Sequence, residues 1–441
     1  MTLPGAALGL AWALPFAGLL LSIAVMPLAA PAVWHHHAGK IAAAWTLLLG
    51  LPFALNFGAA ATGGVLVHTL VAEYLPFTLL LGALYTTAGG IYIRGNLHGR
   101  PALNAGLMAL GAALASVMGT TGASMLLIRP LIRANDNRRH NAHVVVFFIF
   151  IVGNVGGALT PLGDPPLFLG FLQGVDFFWT ARHLLPETLF LLGALLAVFW
   201  ALDTWLYRRE GVTPLDPTPD TSGIGLEGAI NLLPLAAAIA LVLMSGTWRP
   251  GIEFDLWGTP LPLQALVRDG GLLGVAAASL WLTPAGVRAK NQFSWVPMQE
   301  VAKLFIAIFL TMAPVIAMLQ AGPAGVFAPL VARLDSPAAY FWLTGGLSSV
   351  LDNAPTYLAF FHLAGGDAQR LMGEGAPVLA AISGGAVFMG AMTYIGNAPN
   401  FMVKAIAEER GVRMPGFGGY LLWSGAVLLP LLFLVSWRWM Q

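Results

Sequence analysis

The chain has 441 residues, of which 58% are hydrophobic and only 9% charged, with a formal net charge of +1. Soluble domains carry about 25% charged residues, so the composition excludes a soluble enzyme and marks an integral membrane protein, and the near-neutral charge gives no reason to expect a nucleic-acid partner. With no cysteine in the chain, disulfides and thiolate metal sites are excluded as well.

Roughly 20 apolar residues cross a bilayer. Ten segments qualify, at 8–30, 41–61, 68–92, 143–160, 186–206, 229–245, 270–285, 301–320, 377–393 and 417–437. The first has no basic stretch before it and reads as a membrane helix, not a cleaved signal peptide. The polar stretch 207–228, rich in proline, glycine and charge, reads as a linker between two membrane halves, 1–206 and 229–441. With the N-terminus outside, 14 of the 21 Lys and Arg fall on one side and 6 on the other, with Arg129 inside a segment. Basic loops stay cytoplasmic, so the expected location is multi-pass in the cell's inner (plasma) membrane.

Two stretches break the simple count. The loops at 93–101 and 133–142 are both basic and belong on the same side. The residues between them are too few to cross twice comfortably and too many to cross once. A re-entrant helical hairpin fits, with its tip at Gly119-Thr120-Thr121-Gly122. The same reasoning applies to 340–366, with a tip over Ser348–Thr356. GTTGAS (119–124) aligns with LDNAPT (351–356) at an offset of 232, and TPLGDPPL (160–167) with TYIGNAPN (393–400) at 233. Two motif pairs agreeing to one residue point to an internal duplication. The predicted fold is therefore an all-α polytopic membrane protein of two inverted repeats, each with a re-entrant helical hairpin and a broken transmembrane helix.

The breaks carry the chemistry. Proline removes a backbone donor and glycine destabilises a helix interior, so TPLGDPP does not continue as a regular helix. Unwound backbone at membrane depth survives only buried in protein or lining a polar cavity, and transporters use such discontinuous helices to hold ions. The candidate cation and substrate ligands are Thr120, Thr121 and Ser124 at the first tip and Asn154, Thr160, Gly163 and Asp164 at the first break. Their counterparts are Ser349, Asp352, Asn353 and Thr356 at the second tip and Thr393, Gly396, Asn397 and Asn400 at the second break.

An aspartate at the bilayer centre costs roughly 2.5–3.5 kcal/mol, so Asp164 and Asp352 are expected to serve an ion or a proton. The plainer reading is that each caps a half-helix. Asn353 sets a neutral carbonyl beside Asp352, and hard cations prefer such oxygens, so sodium is expected on Asp352, Asn353 and Asp164. Because two prolines follow Asp164, it reads more as the cap and Asp352 as the more sensitive group. Glu73 is a third candidate for proton coupling, although its place near a span end also suits an interfacial residue. Arg129 is either an anion contact or a residue reaching the membrane interface or balancing Asp164.

The motifs GTTGAS, GGALTPLGDPP, LDNAPT and TYIGNAPN resemble those of the ion transporter superfamily, nearest its sodium/proton antiporter and citrate transporter branch related to arsenite permeases. The resemblance covers most of the chain in the same order. It implies a scaffold domain, a transport domain carrying both hairpins, a homodimer and elevator-type motion. Divalent-anion/sodium symporters of that superfamily carry Ser-Asn-Thr tips, where this chain has Thr-Thr-Gly and Asp-Asn-Ala-Pro-Thr. The expected function is a sodium/proton antiporter. The alternative is a sodium- or proton-coupled symporter of citrate or another small carboxylate. HExxH and GxSxG are absent from the sequence, so no enzyme is expected, and no cofactor beyond sodium as transported or coupling ion.

Overall fold

The structure, a computed structural model, describes residues 3–211, 223–331 and 334–441. Residues 212–222 of the expected linker, and Arg333, lie outside the described residues.

The chain opens with α1 (Leu14–Ala29) and α2 (Pro31–His68), then passes through a π-helical turn at Thr69–Tyr74 into α3 (Leu75–Gly89). The spans expected at 41–61 and 68–92 thus form one helical stretch, interrupted not between them but at Gly58, whose φ of 82° and ψ of 162° are non-helical. Only glycine holds such a backbone at little steric cost. The short strand β1 (Tyr92–Arg94) pairs antiparallel with β2 (Gly225–Glu227).

Next come α4 (Pro101–Met118), α5 (Thr120–Ala134), α6 (Ala142–Ile151), α7 (Pro165–Leu172) and α8 (Trp179–Glu210). Beyond β2 lie α9 (Leu232–Thr247), the β-hairpin of β3 (Glu253–Leu256) and β4 (Thr259–Pro262), and α10 (Leu263–Leu282). The chain continues with α11 (Ala285–Lys290), α12 (Val296–Gln320), α13 (Ala328–Val331), α14 (Pro337–Ser348) and α15 (Asn353–Leu363). It ends with α16 (Ala368–Met372), α17 (Ala376–Met389), α18 (Ala398–Glu409), α19 (Phe417–Trp423) and α20 (Leu429–Trp439). Proline in the first turn starts many of these helices, where its missing N–H has no intrahelical partner to lose. Among the described residues, eight helical stretches are long and apolar enough to cross a membrane. The chain is an all-α polytopic membrane protein.

The succession of hairpin, broken helix and long helix occurs twice, as α4–α5, α6–α7, α8 and as α14–α15, α17–α18, α19–α20. The segments read as spans at 143–160 and 377–393 are not continuous helices. α6 stops at Ile151 and α17 at Met389, each before an irregular stretch.

The first hairpin is closed at its base. Gly99 N donates to Ala134 O at 2.5 Å, and the side-chain amides of Asn104 and Asn135 bond each other reciprocally at 2.9 and 2.8 Å. A buried ionic cluster then fastens this base to α8. Asp203 accepts from Asn104 Nδ2 at 3.0 Å and Arg138 Nη1 at 2.6 Å, with His143 Nε2 at 2.8 Å. The second hairpin folds back so that Tyr340 meets Phe360 edge-on, and Ser336 Oγ caps α14 by accepting from Ala339 N. Phe77 of α3 packs on Phe305 and Phe309 of α12 with ring centroids 4.7 and 5.6 Å apart, joining early and late helices in one apolar core.

Candidate cation-binding site

Each broken helix is tied to its own hairpin by similar serine and threonine bonds. Ser116 Oγ donates to Gly156 O and Thr160 Oγ1 to Ser116 O. In the second half, Ser348 Oγ donates to Ala386 O and Thr393 Oγ1 to Ser349 O. The glycines of the breaks are equivalent too. A Cβ on Gly163 would lie 2.2 Å from Gly157 O, and one on Gly396 would lie 2.6 Å from Gly390 O. At the first tip Gly119 takes φ 82°, which turns the chain so that Thr120 N donates to Gly163 O at 2.8 Å.

These two assemblies meet at Asp164, which is only 1% exposed. It occupies the N-cap position of α7 but makes no side-chain cap bond. Its Oδ1 accepts from Thr120 Oγ1 at 2.9 Å and from Asn397 Nδ2 at 3.1 Å, and its Oδ2 accepts from Asn353 Nδ2 at 2.5 Å. The donors come from the first hairpin, the second break and the second hairpin. Among the described residues no Lys, Arg or His forms an ion pair with it. Positive potential comes instead from helix N-termini, since α5, α7, α15 and α18 all begin at these residues.

An amide belt surrounds the carboxylate. Asn154 Nδ2 donates to Asn400 Oδ1 at 2.7 Å, Asn397 Nδ2 to Asn154 Oδ1 at 3.1 Å, and Asn400 Nδ2 to Gly390 O and Thr393 O at 2.7 and 2.8 Å. Asn353 Oδ1 is buried with no hydrogen-bond partner among the described residues. A buried acceptor without a donor is costly, and this one stands beside a carboxylate lacking a basic partner. Oxygens of this kind suit a hard cation.

The second aspartate behaves differently. Asp352 Oδ1 accepts from Ala354 N at 3.1 Å, capping α15. The capping bond expected of Asp164 is made by Asp352, and Asp164 lies at the centre of the polar cluster. Thr356 Oγ1 donates to Asp352 O and Ser349 Oγ to Gly346 O, both local bonds within their own segments. Ser124 is buried with Oγ unpartnered among the described residues. Glu73 sits in the π-helical turn with His68 Nε2 at 3.9 Å and does not line the cavity that reaches Asp164. Arg129 does not reach Asp164; its Nε donates to Gln292 Oε1 at 3.1 Å.

A cavity of about 1420 Å³ reaches the cluster, touching Thr120, Thr121, Gly163, Asp164, Asp352 and Asn397. Its ionisable lining comprises four acids, Asp164, Asp352, Glu300 and Glu409, against three bases, Lys40, Arg129 and Lys303, besides His35 and His36. That balance does not select an anion.

Sequence reasoning missed Ser116, although it stands at the repeat offset of 232 from Ser348 of the second tip. It also missed Glu187 of α8, buried with Oε2 unpartnered among the described residues, whose signal was an acid inside an apolar span. The Asp203 cluster had no local motif to announce it.

Comparison with curated proteins finds no match. The family described as "Putative citrate transport" matches residues 5–440. That match spans nearly the whole chain, and it joins a polytopic helical fold whose broken helices meet at a buried carboxylate. The chain therefore belongs to this citrate transport family of the ion transporter superfamily.

Proposed function

We propose that this secondary transporter exchanges sodium for protons, with Asp164 as the carboxylate that both ions use in turn. The observation that carries the reading is the environment of Asp164. It is buried, held by three neutral donors from separate elements, and lacks a basic partner among the described residues. A buried charge needs a counter-charge, which a sodium ion supplies from the adjoining cavity and a proton makes unnecessary. Competition between the two couples their fluxes. Asn353 Oδ1 offers sodium a second oxygen, and Asp352 shapes the tip by capping α15.

In the same reading the two hairpins and two broken helices form a transport domain, related as inverted repeats. It moves elevator-fashion against a scaffold of the remaining helices, within a homodimer in the inner (plasma) membrane. The equivalent Thr160 and Thr393 bonds and the equivalent glycine contacts of the two breaks support the repeat. Single cysteines at positions 137 and 367 test its inverted sense, because they are expected to label from opposite faces of the membrane. Labelling from one face would remove that part of the reading.

A second reading, sodium- or proton-coupled symport of citrate or another small carboxylate, is favoured by the family description and by Arg129 in the cavity wall. Purified protein in liposomes separates the two. Internal pH is followed while sodium, lithium, potassium or citrate is added outside. Antiport gives alkalinisation of the interior when sodium is added outside without citrate, and Asp164→Asn abolishes it. Sodium movement only when citrate is present would replace antiport by symport. Undiminished sodium/proton exchange in Asp164→Asn would overturn the site assignment itself.

A further inference from the structure

We infer that a second, smaller pocket beneath the first hairpin is a binding site for a compact multivalent oxyanion, distinct from the Asp164 cluster. The pocket measures about 260 Å³ and gathers Arg129 and Arg133 from α5, Lys290 from the end of α11 and Arg410 from the end of α18, with Asp136 as its one acid. Four bases against one lining acid, with Glu227 paired to Lys290 at the rim, leave an excess of positive charge in a space suited to a phosphate group. The count of basic loops assigns Arg133, Lys290 and Arg410 to one side of the membrane, and the fold brings these distant positions together.

A cluster of bases at a membrane surface needs no ligand, since such residues are ordinarily solvated. Arg129 departs from that. It is 9% exposed, its Nε is spent on Gln292, and its Nη1 is buried with no acceptor among the described residues. Arg410 lines the same pocket and repels it, with Glu409 as an opposing charge. Arg133 is held open by neutral acceptors, its Nη1 on the Tyr92 hydroxyl and its Nη2 on Ile93 O, both at 3.0 Å. Those bonds orient the guanidinium without neutralising it. Lys290 is paired with Glu227 at 2.7 Å. An oxyanion would give Arg129 Nη1 its missing acceptor and relieve the repulsion with Arg410. Planar guanidinium forks match oxyanion geometry.

Soluble phosphate and a phospholipid headgroup share this chemistry, and the experiment separates them. Full-length protein is placed in phosphatidylcholine nanodiscs in sodium-free buffer at constant ionic strength, so that cation binding at Asp164 plays no part. Thermal unfolding is followed as Tris phosphate replaces Tris chloride, and again without phosphate in nanodiscs containing phosphatidylglycerol. The wild type is expected to gain stability with phosphate, saturably. Arg410→Gln should need roughly tenfold more for the same gain, and Arg410→Lys should recover part of the loss. Stabilisation only by phosphatidylglycerol, lost in Arg410→Gln, assigns the site to a headgroup. Arg133→Gln serves as the second variant should Arg410→Gln not fold. The inference is overturned if neither anion source stabilises the wild type, or if these variants respond as the wild type does.

Discussion

Asn353 Nδ2 donates to Asp164 Oδ2 at 2.5 Å, linking the tip of the second hairpin to the break of the first half across a separation of 189 positions. The same amide turns its buried Oδ1 to no partner among the described residues. One side chain thus both holds the carboxylate and offers an oxygen next to it.

Asn353→Ala removes both functions. Asp164 Oδ2 loses its donor and the cation loses a neutral ligand, so half-maximal sodium activation in liposomes is expected to shift upward roughly tenfold. Asn353→Asp keeps the shape but faces a carboxylate with a carboxylate, and like charges at this separation repel strongly, so it should not rescue. Unchanged sodium dependence in Asn353→Ala would remove this residue from the site.

The two aspartates are expected to separate cleanly. Asp164→Asn should reduce sodium-driven proton flux at least about 100-fold, equivalent to ~2.7 kcal/mol, while leaving thermal stability equal or higher, because a buried charge without a basic partner is costly. Asp352→Asn should stay within about threefold of wild type, since asparagine caps helices about as well as aspartate. The reverse order of severity would restore the reading made from sequence.

Both break glycines touch a carbonyl. An added Cβ would stand 2.2 Å from Gly157 O in Gly163→Ala and 2.6 Å from Gly390 O in Gly396→Ala. Relieving such overlap costs about 1–3 kcal/mol. Thermal unfolding should show both variants destabilised, Gly163→Ala more so, with transport lost in each. A Gly163→Ala protein with wild-type melting temperature and flux would mean that the break opens easily.

The hairpin base offers a control away from the cation site. Asp203→Ala takes the shared carboxylate from Arg138, His143 and Asn104 and leaves Arg138 only the longer pair with Glu210 at 3.5 Å, and breaking a buried ion pair costs about 3–5 kcal/mol. The melting temperature should fall sharply, whereas the folded fraction should keep wild-type half-maximal sodium activation. Altered sodium dependence in that fraction would show that the base and the Asp164 cluster are coupled.

The solvent, the two hairpins and the two breaks could be read from the chain alone. Bilayer residence is written in composition, and Gly and Pro act on their own backbone, so TPLGDPP and TYIGNAPN end helices wherever they stand. The shared offset likewise named most of the polar residues that now meet around Asp164, from Thr120 and Asn154 to Asn353, Asn397 and Asn400. Which aspartate lies at the centre was settled by the fold. Asp352 has a free helix N–H two residues away and bonds it, whereas the donors to Asp164 arrive from three segments that nothing local connects. The buried Asp203 cluster and the basic pocket at Arg129 depend on the same kind of long-range meeting. A charge's partner is set by distance in space, and spacing along the chain reports it only when the bond is local.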